Sequence, residues 1–248
     1  MSSAWRTIAA TQARDLLRRR AAILLLAGLP MTWYLAEAAA GVDYAVGTGV
    51  LAMAWSAAAA PLFAFLGARH VDQRLVQAGY KPRDIVAGRI AALLSTSLLL
   101  AAIFGTVMVV GSQPPRPADV FLALLLTTLV STSIGWLTSS IVPRELEGTL
   151  VLIGLVGLQI SIPVSGTADL LIPYFGPLRI TDYSRSPTAP TGPTIHAVLW
   201  SIAIACVALA LWKRRVRIQP PTPVAEFHPV RAPTMGDVAP ARTDRAQA

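Results

Sequence analysis

Six long stretches of this sequence are predominantly apolar, at roughly 21–40, 44–66, 88–111, 118–141, 147–164 and 195–212. A hydrocarbon core about 30 Å thick is crossed by about 20 helical residues, so runs of this length leave few alternatives to a bundle of membrane-crossing helices. Helices satisfy their own backbone groups where no water is present, which strands can do only in a closed barrel. The whole chain agrees, with 54% apolar and 14% charged residues over its 248 positions. The expected fold is therefore all-α: a polytopic membrane protein of six transmembrane helices.

The basic residues give the expected orientation. Arg6, Arg14, Arg18, Arg19 and Arg20 precede the first run, and Arg69, Arg74, Lys81, Arg83 and Arg89 lie between or at the edges of the second and third. Arg144 stands before the fifth, and Lys213, Arg214, Arg215 and Arg217 close the sixth. The opposite side offers Arg116, Arg179 and Arg185 alone, so the count is fifteen against three. Lys and Arg are retained on the cytoplasmic side, which places both termini there. Basic residues gathered beside apolar runs explain the net charge of +8 without nucleic acid, which is not an expected partner.

Residues 1–20 have an organisation of their own. Trp5, Ile8, Ala9, Ala13 and Leu16 share one face of a helical wheel, and Thr7, Thr11, Arg14 and Arg18 share the other, with Ser2 or Ser3 available as N-cap. Such a helix suits the membrane interface. A cleavable signal ending near Ala36-Glu37-Ala38 is the competing reading. Residues 21–215 form the expected six-span membrane domain. Residues 216–248 carry six prolines and few large apolar side chains, which predicts a disordered cytoplasmic tail. The external segment 165–194 contains Leu170-Leu171-Ile172-Pro173-Tyr174-Phe175, too apolar for an ordinary loop and too short to span, so a re-entrant or surface-lying piece is expected.

Several chemistries have no residues to carry them. No G-x-x-x-x-G-K-[ST] run occurs, so any nucleotide would be held by another chain. The spans show no interior His–carboxylate pair, and the single Cys206 and the histidines His70, His196 and His228 have no ligand spacing, so neither a catalytic nor a metal site is expected. Ionisable residues are absent from the middle of every run, unlike an ion-coupled carrier. Gln159 reads as an interhelical hydrogen bond, and Thr127, Ser131 and Thr138 as packing residues.

What remains is the basic segment 69–87. Val71, Leu75 and Ala78 fall at i, i+4 and i+7, an apolar stripe on a short helix flanked by Asp72 and Arg74. Gly79 suits the left-handed residue that closes such a helix. After Tyr80, Pro82 suits the first turn of the next one, with Arg83 following and Asp84 near its positive end. Two capped helices around a glycine describe a rigid docking element better than a loose connector.

Three features together resemble the membrane subunit of a type-2 ATP-binding-cassette (ABC) transporter of the bacterial drug and polysaccharide exporter-like kind. They are the N-terminal amphipathic helix, the segment from Arg74 to Arg89, and Pro143-Arg-Glu-Leu-Glu-Gly-Thr149 before the fifth run. The resemblance covers about residues 1–215 and implies a division of labour. Two permease copies, alike or different, would pair in the bacterial cell membrane and rest on two cytoplasmic ATPase subunits that supply ATP and Mg. This chain would then bind no cofactor and catalyse no hydrolysis. By the same resemblance, 71–79 would be a coupling helix in an ATPase groove, beside a connecting helix at 2–20 that includes Trp5, Ile8, Arg14 and Leu16. Glu145 and Glu147 would belong to a second cytoplasmic contact. A secondary carrier or channel, and a membrane scaffold or sensor component, are the rival readings.

Overall fold

The structure is a computed structural model that describes residues 4–41, 45–161, 170–183 and 190–216. These fall in one compact unit, Met1–Arg217. The tail expected at 216–248, apart from Val216, lies outside the described residues, as do Ser2, Ser3, Arg185 and much of the external segment. Nine α-helices and no strand occur among the described residues. They are α1 (Ala4–Arg18), α2 (Arg20–Ala39), α3 (Ala45–Gly67), α4 (Arg69–Gln77), α5 (Pro82–Ser112), α6 (Pro117–Ile141), α7 (Glu145–Ser161), α8 (Phe175–Tyr183) and α9 (Thr191–Val216).

Against six expected crossings, four helices are long and apolar enough by themselves: α3, α5, α6 and α9. A fifth crossing results if α1 and α2, which meet at 67°, count as one broken span. The described part of α7 has 17 residues, a length of about 25 Å, so within the described residues it is not long enough by itself to cross the hydrocarbon core. At the other extreme α5 has 31 residues and rises about 46 Å; it begins at Pro82, somewhat less than two turns before the apolar run read from the sequence.

Burial separates centre from periphery. The apolar windows of α3 and α6 are each 72% buried, against 33% in α5 and 22% in α9. Small side chains let the two central helices approach, as expected where lipid tails leave packing as the main attraction. A Cβ on Gly135 of α6 would collide with the carbonyl oxygen of Ala58 and with Pro61 of α3. The hydroxyls of Thr128, Ser133, Ser139 and Ser140 donate to carbonyls three or four residues back on α6, which keeps them satisfied inside an apolar core. Gly105 of α5 sits against Phe121 and Leu124 of α6 in the same way.

Two apolar clusters result. The larger joins α2, α3, α5, α6, α7, α8 and α9 through residues such as Tyr34, Met53, Leu62, Met108, Val130 and Ile180. The smaller lies toward the basic end and gathers Ile8, Phe65, Ile85, Val86, Leu93, Trp136 and Trp212. Phe65 and Trp136 stack there with centroids 5.5 Å apart.

The apolar stretch before α8 is fixed chiefly at its last residue, and at Leu170 O by His196 and Trp200. Tyr174 is buried, its hydroxyl lies 2.8 Å from Ser131 Oγ, and its amide donates to Gln159 Oε1 at 3.3 Å. Gln159, expected to bond between helices, instead donates to Leu155 O of its own helix and accepts from the turn before α8, while Ser131 both packs and bonds. Leu170 and Leu171 stay exposed.

Candidate functional site

The helix α4 ends as its sequence dictates. Gly79 takes a φ of +89°, its amide donates to Val76 O at 3.0 Å, and Tyr80 N donates to Leu75 O at 3.0 Å, the double closure of a Schellman motif. Pro82 then occupies the first turn of α5 after an extended Lys81, with Asp84 in that turn and 4.0 Å from Arg83. The reversal is therefore made of backbone whose conformation is set locally.

The expected stripe is divided. Val71 and Ala78 face outward with Arg74, and Val71 is 52% exposed. Leu75 is half-buried and, with Val76, packs on the smaller apolar cluster of this same chain. Asp72 is turned inward and is buried. Arg89 of α5 meets it there, donating from Nε at 2.9 Å and from Nη2 at 2.6 Å, both to Oδ1. The remaining Nη1 of Arg89 donates to Gln12 Oε1 of α1. Trp212 of α9 also reaches the Asp72 side chain, while Oδ2 has no partner of full hydrogen-bond geometry. Burial pushes the Asp72 carboxyl above the usual carboxylate range, and the Arg89 charge offsets only part of that.

Of the N-terminal residues, Ile8 and Gln12 are buried, Trp5 and Leu16 are half-buried, and Arg14 is exposed. The face read as membrane-binding is in large part covered by α5. Gly88 makes this possible, since a Cβ there would lie 2.6 Å from Trp5 O and 2.8 Å from Ile8 Cβ.

A second polar arrangement closes the same end. Arg69, the first residue of α4, donates to Ser139 O at 2.6 Å, to Pro143 O at 3.0 Å and to Val142 O. Arg215 near the end of α9 donates to Ser139 O at 3.2 Å and to Ile141 O at 3.0 Å. These carbonyls end α6, where no intrahelical donor remains and a cation also meets the negative end of the helix dipole. Burial lowers the pKa of Arg69, and the neighbouring Arg215 charge lowers it further. The link from Arg69 to Pro143 brings α4 beside the turn into α7. Glu145 is exposed there, and Glu147 pairs with Arg144 at 3.4 Å.

Sequence reasoning assigned Asp72 to a docking surface and did not single out Gln12 or Trp212. One signal was available: Arg89 lies where an apolar run begins, and an arginine there needs an acid. Among the described residues no group of His, Cys, Asp and Glu is arranged to hold a metal ion.

Long apolar helices packed through small residues, with basic side chains gathered at one end, define a multi-pass membrane protein. The ABC-2 type transporter family matches residues 5–166, well over half of the chain. The chain belongs to that family and is a permease subunit of an ABC transporter. The match takes in α1 through α7, including the N-terminal helix, α4 and its turn, and the Pro143–Thr149 segment, and stops before α8 and α9. A search of curated proteins finds no match to the chain.

Proposed function

We propose that this permease is driven by separate ATPase subunits that dock on the basic end of the bundle, and that it exports its cargo. The supporting observation is α4: a helix held by the Gly79–Pro82 turn and by the Arg69 contacts, with Val71, Arg74 and Ala78 facing away from the bundle. In this reading Tyr80, Arg83 and Asp84 border the contact, Glu145 and Glu147 form its second part, and Asp72 and Leu75 hold α4 from behind. Two permease copies, identical or not, carry two ATPase subunits that bind ATP and Mg. The chain lies in a bacterial cell membrane with both termini and α4 cytoplasmic, as the fifteen-to-three charge count favours. α2 and α7 complete six crossings, α7 by local thinning or flanking residues. Export rests on the resemblance to the drug and polysaccharide exporter-like branch, and spans without central charges favour an apolar or amphiphilic cargo.

Val71→Asp tests the docking. A carboxylate set against an ATPase groove should weaken association by about 2 kcal/mol, a roughly 30-fold loss in affinity. Membrane yield should be normal because Val71 packs on nothing in this chain's buried core. Arg179→Ala, at an exposed position of α8, is the control. Pull-down of the ATPase at parental strength by Val71→Asp would reject α4 as the docking element.

A further inference from the structure

Three candidates stand out beyond the docking surface. The shallow apolar crevice among α1, α2, α3 and α5 is lined by residues such as Leu16, Met53, Ser56 and Ser97, and nothing points to an occupant. The His196–Trp200 pair on α9 shares the Leu170 carbonyl, which describes local anchoring of that stretch. The buried cluster of Gln12, Asp72 and Arg89 is different, because it joins three helices through one side chain.

We infer that Arg89 is a positioning residue that ties α4 to α1 and α5 through Asp72 and Gln12, so that the three helices move as one body when the ATPase moves α4. This rests on the reading of α4 as the docking element. Each of the three side chains is more than nine-tenths buried, at 6% exposure for Arg89, 1% for Asp72 and 7% for Gln12. None of them reaches the surface of the chain, so none contributes to the docking surface itself. Only a planar guanidinium presents several donors in fixed directions, and Arg89 uses them on two different elements at once. Gly88, one residue earlier, removes the side chain that would hold α1 away from α5. Without such a tie, α4 keeps its four-residue turn to α5, the Arg69 contacts to the end of α6 and the packing of Leu75 and Val76, but loses its directional bond to α1 through Arg89, so displacement of α4 would pass less fully to the N-terminal helix.

The tie predicts a defect in coupling without a defect in docking. Arg89→Lys keeps the buried charge opposite Asp72 balanced but cannot reach Gln12 with a fork. Gln12→Met removes the α1 arm and leaves the Asp72–Arg89 pair intact. In the complete transporter with its ATPase, both variants should insert and bind the ATPase like the parent, while cargo moved per ATP hydrolysed falls about tenfold. The double variant should be no worse than the poorer single, because both break one link. Parental transport per ATP in both singles, or a double-variant loss equal to the product of the two, overturns the tie and leaves the docking reading standing. If the parent complex itself neither binds an ATPase nor moves cargo with ATP, the permease-driving reading fails, and this inference falls with it.

Discussion

Asp72 and Arg89 respond differently to losing one another. Breaking a buried pair strands a charge and costs about 3 kcal/mol or more, but an acid can shed that cost by taking up a proton. Asp72 already has its carboxyl raised by burial, and Arg89→Met removes the charge that holds it down. An acid whose folded pKa exceeds its unfolded value gives stability that is full below the unfolded value and is lost as pH rises through the folded one. The deficit of Arg89→Met should therefore be largest at neutral pH and shrink as pH falls toward the ordinary carboxylate range. Asp72→Asn strands a guanidinium that cannot deprotonate, so its deficit of about 3 kcal/mol should persist over that window. Thermal unfolding of the detergent-solubilised variants across the window checks this. Parallel pH curves for the two would show that Asp72 is ionised at no cost.

At the level of elements, α6 owes its fixed end to two other helices. Ser139 O accepts from both Arg69 and Arg215, whereas Pro143, Val142 and Ile141 each have one of them. Arg69→Ala or Arg215→Ala alone should cost about 1 kcal/mol, and the double variant more than twice that, because only the pair leaves Ser139 O without a donor. Melting temperatures of the two singles and the double measure the difference; strict additivity would mean that water already serves that carbonyl. The Gly79–Pro82 reversal was legible in the sequence because its causes are local: a left-handed residue and a fixed φ. The packing of α1 on α5 was not legible. An amphipathic face carries the same periodicity whether it meets lipid or another helix, and only the missing side chain at Gly88 hinted at the second. The same limit divided the α4 stripe, since periodicity placed Val71 and Leu75 on one face but not which of them the chain itself would cover.

For the whole molecule, hydropathy identified the all-helical membrane bundle, and α3, α5, α6 and α9 meet it at full length. It could not set how α1 joins α2, which depends on neighbouring helices more than on apolar content. Orientation is open to direct measurement in a Cys206→Ala background, which leaves each introduced cysteine as the single thiol of the chain. Gln77→Cys should be labelled only from the cytoplasm and Thr191→Cys only from outside; the reverse pattern would invert the molecule. The length of α5 has a mechanical meaning in that frame. The helix lies against Phe121 and Leu124 of α6 at Gly105, far from Pro82 and near Ser112, so a rigid rod resting there has arms in a ratio of about three to one. Swung from the Pro82 end, such a rod is a reducing lever: a wide sweep at the long arm becomes a short, forceful one at the other, about a third as large.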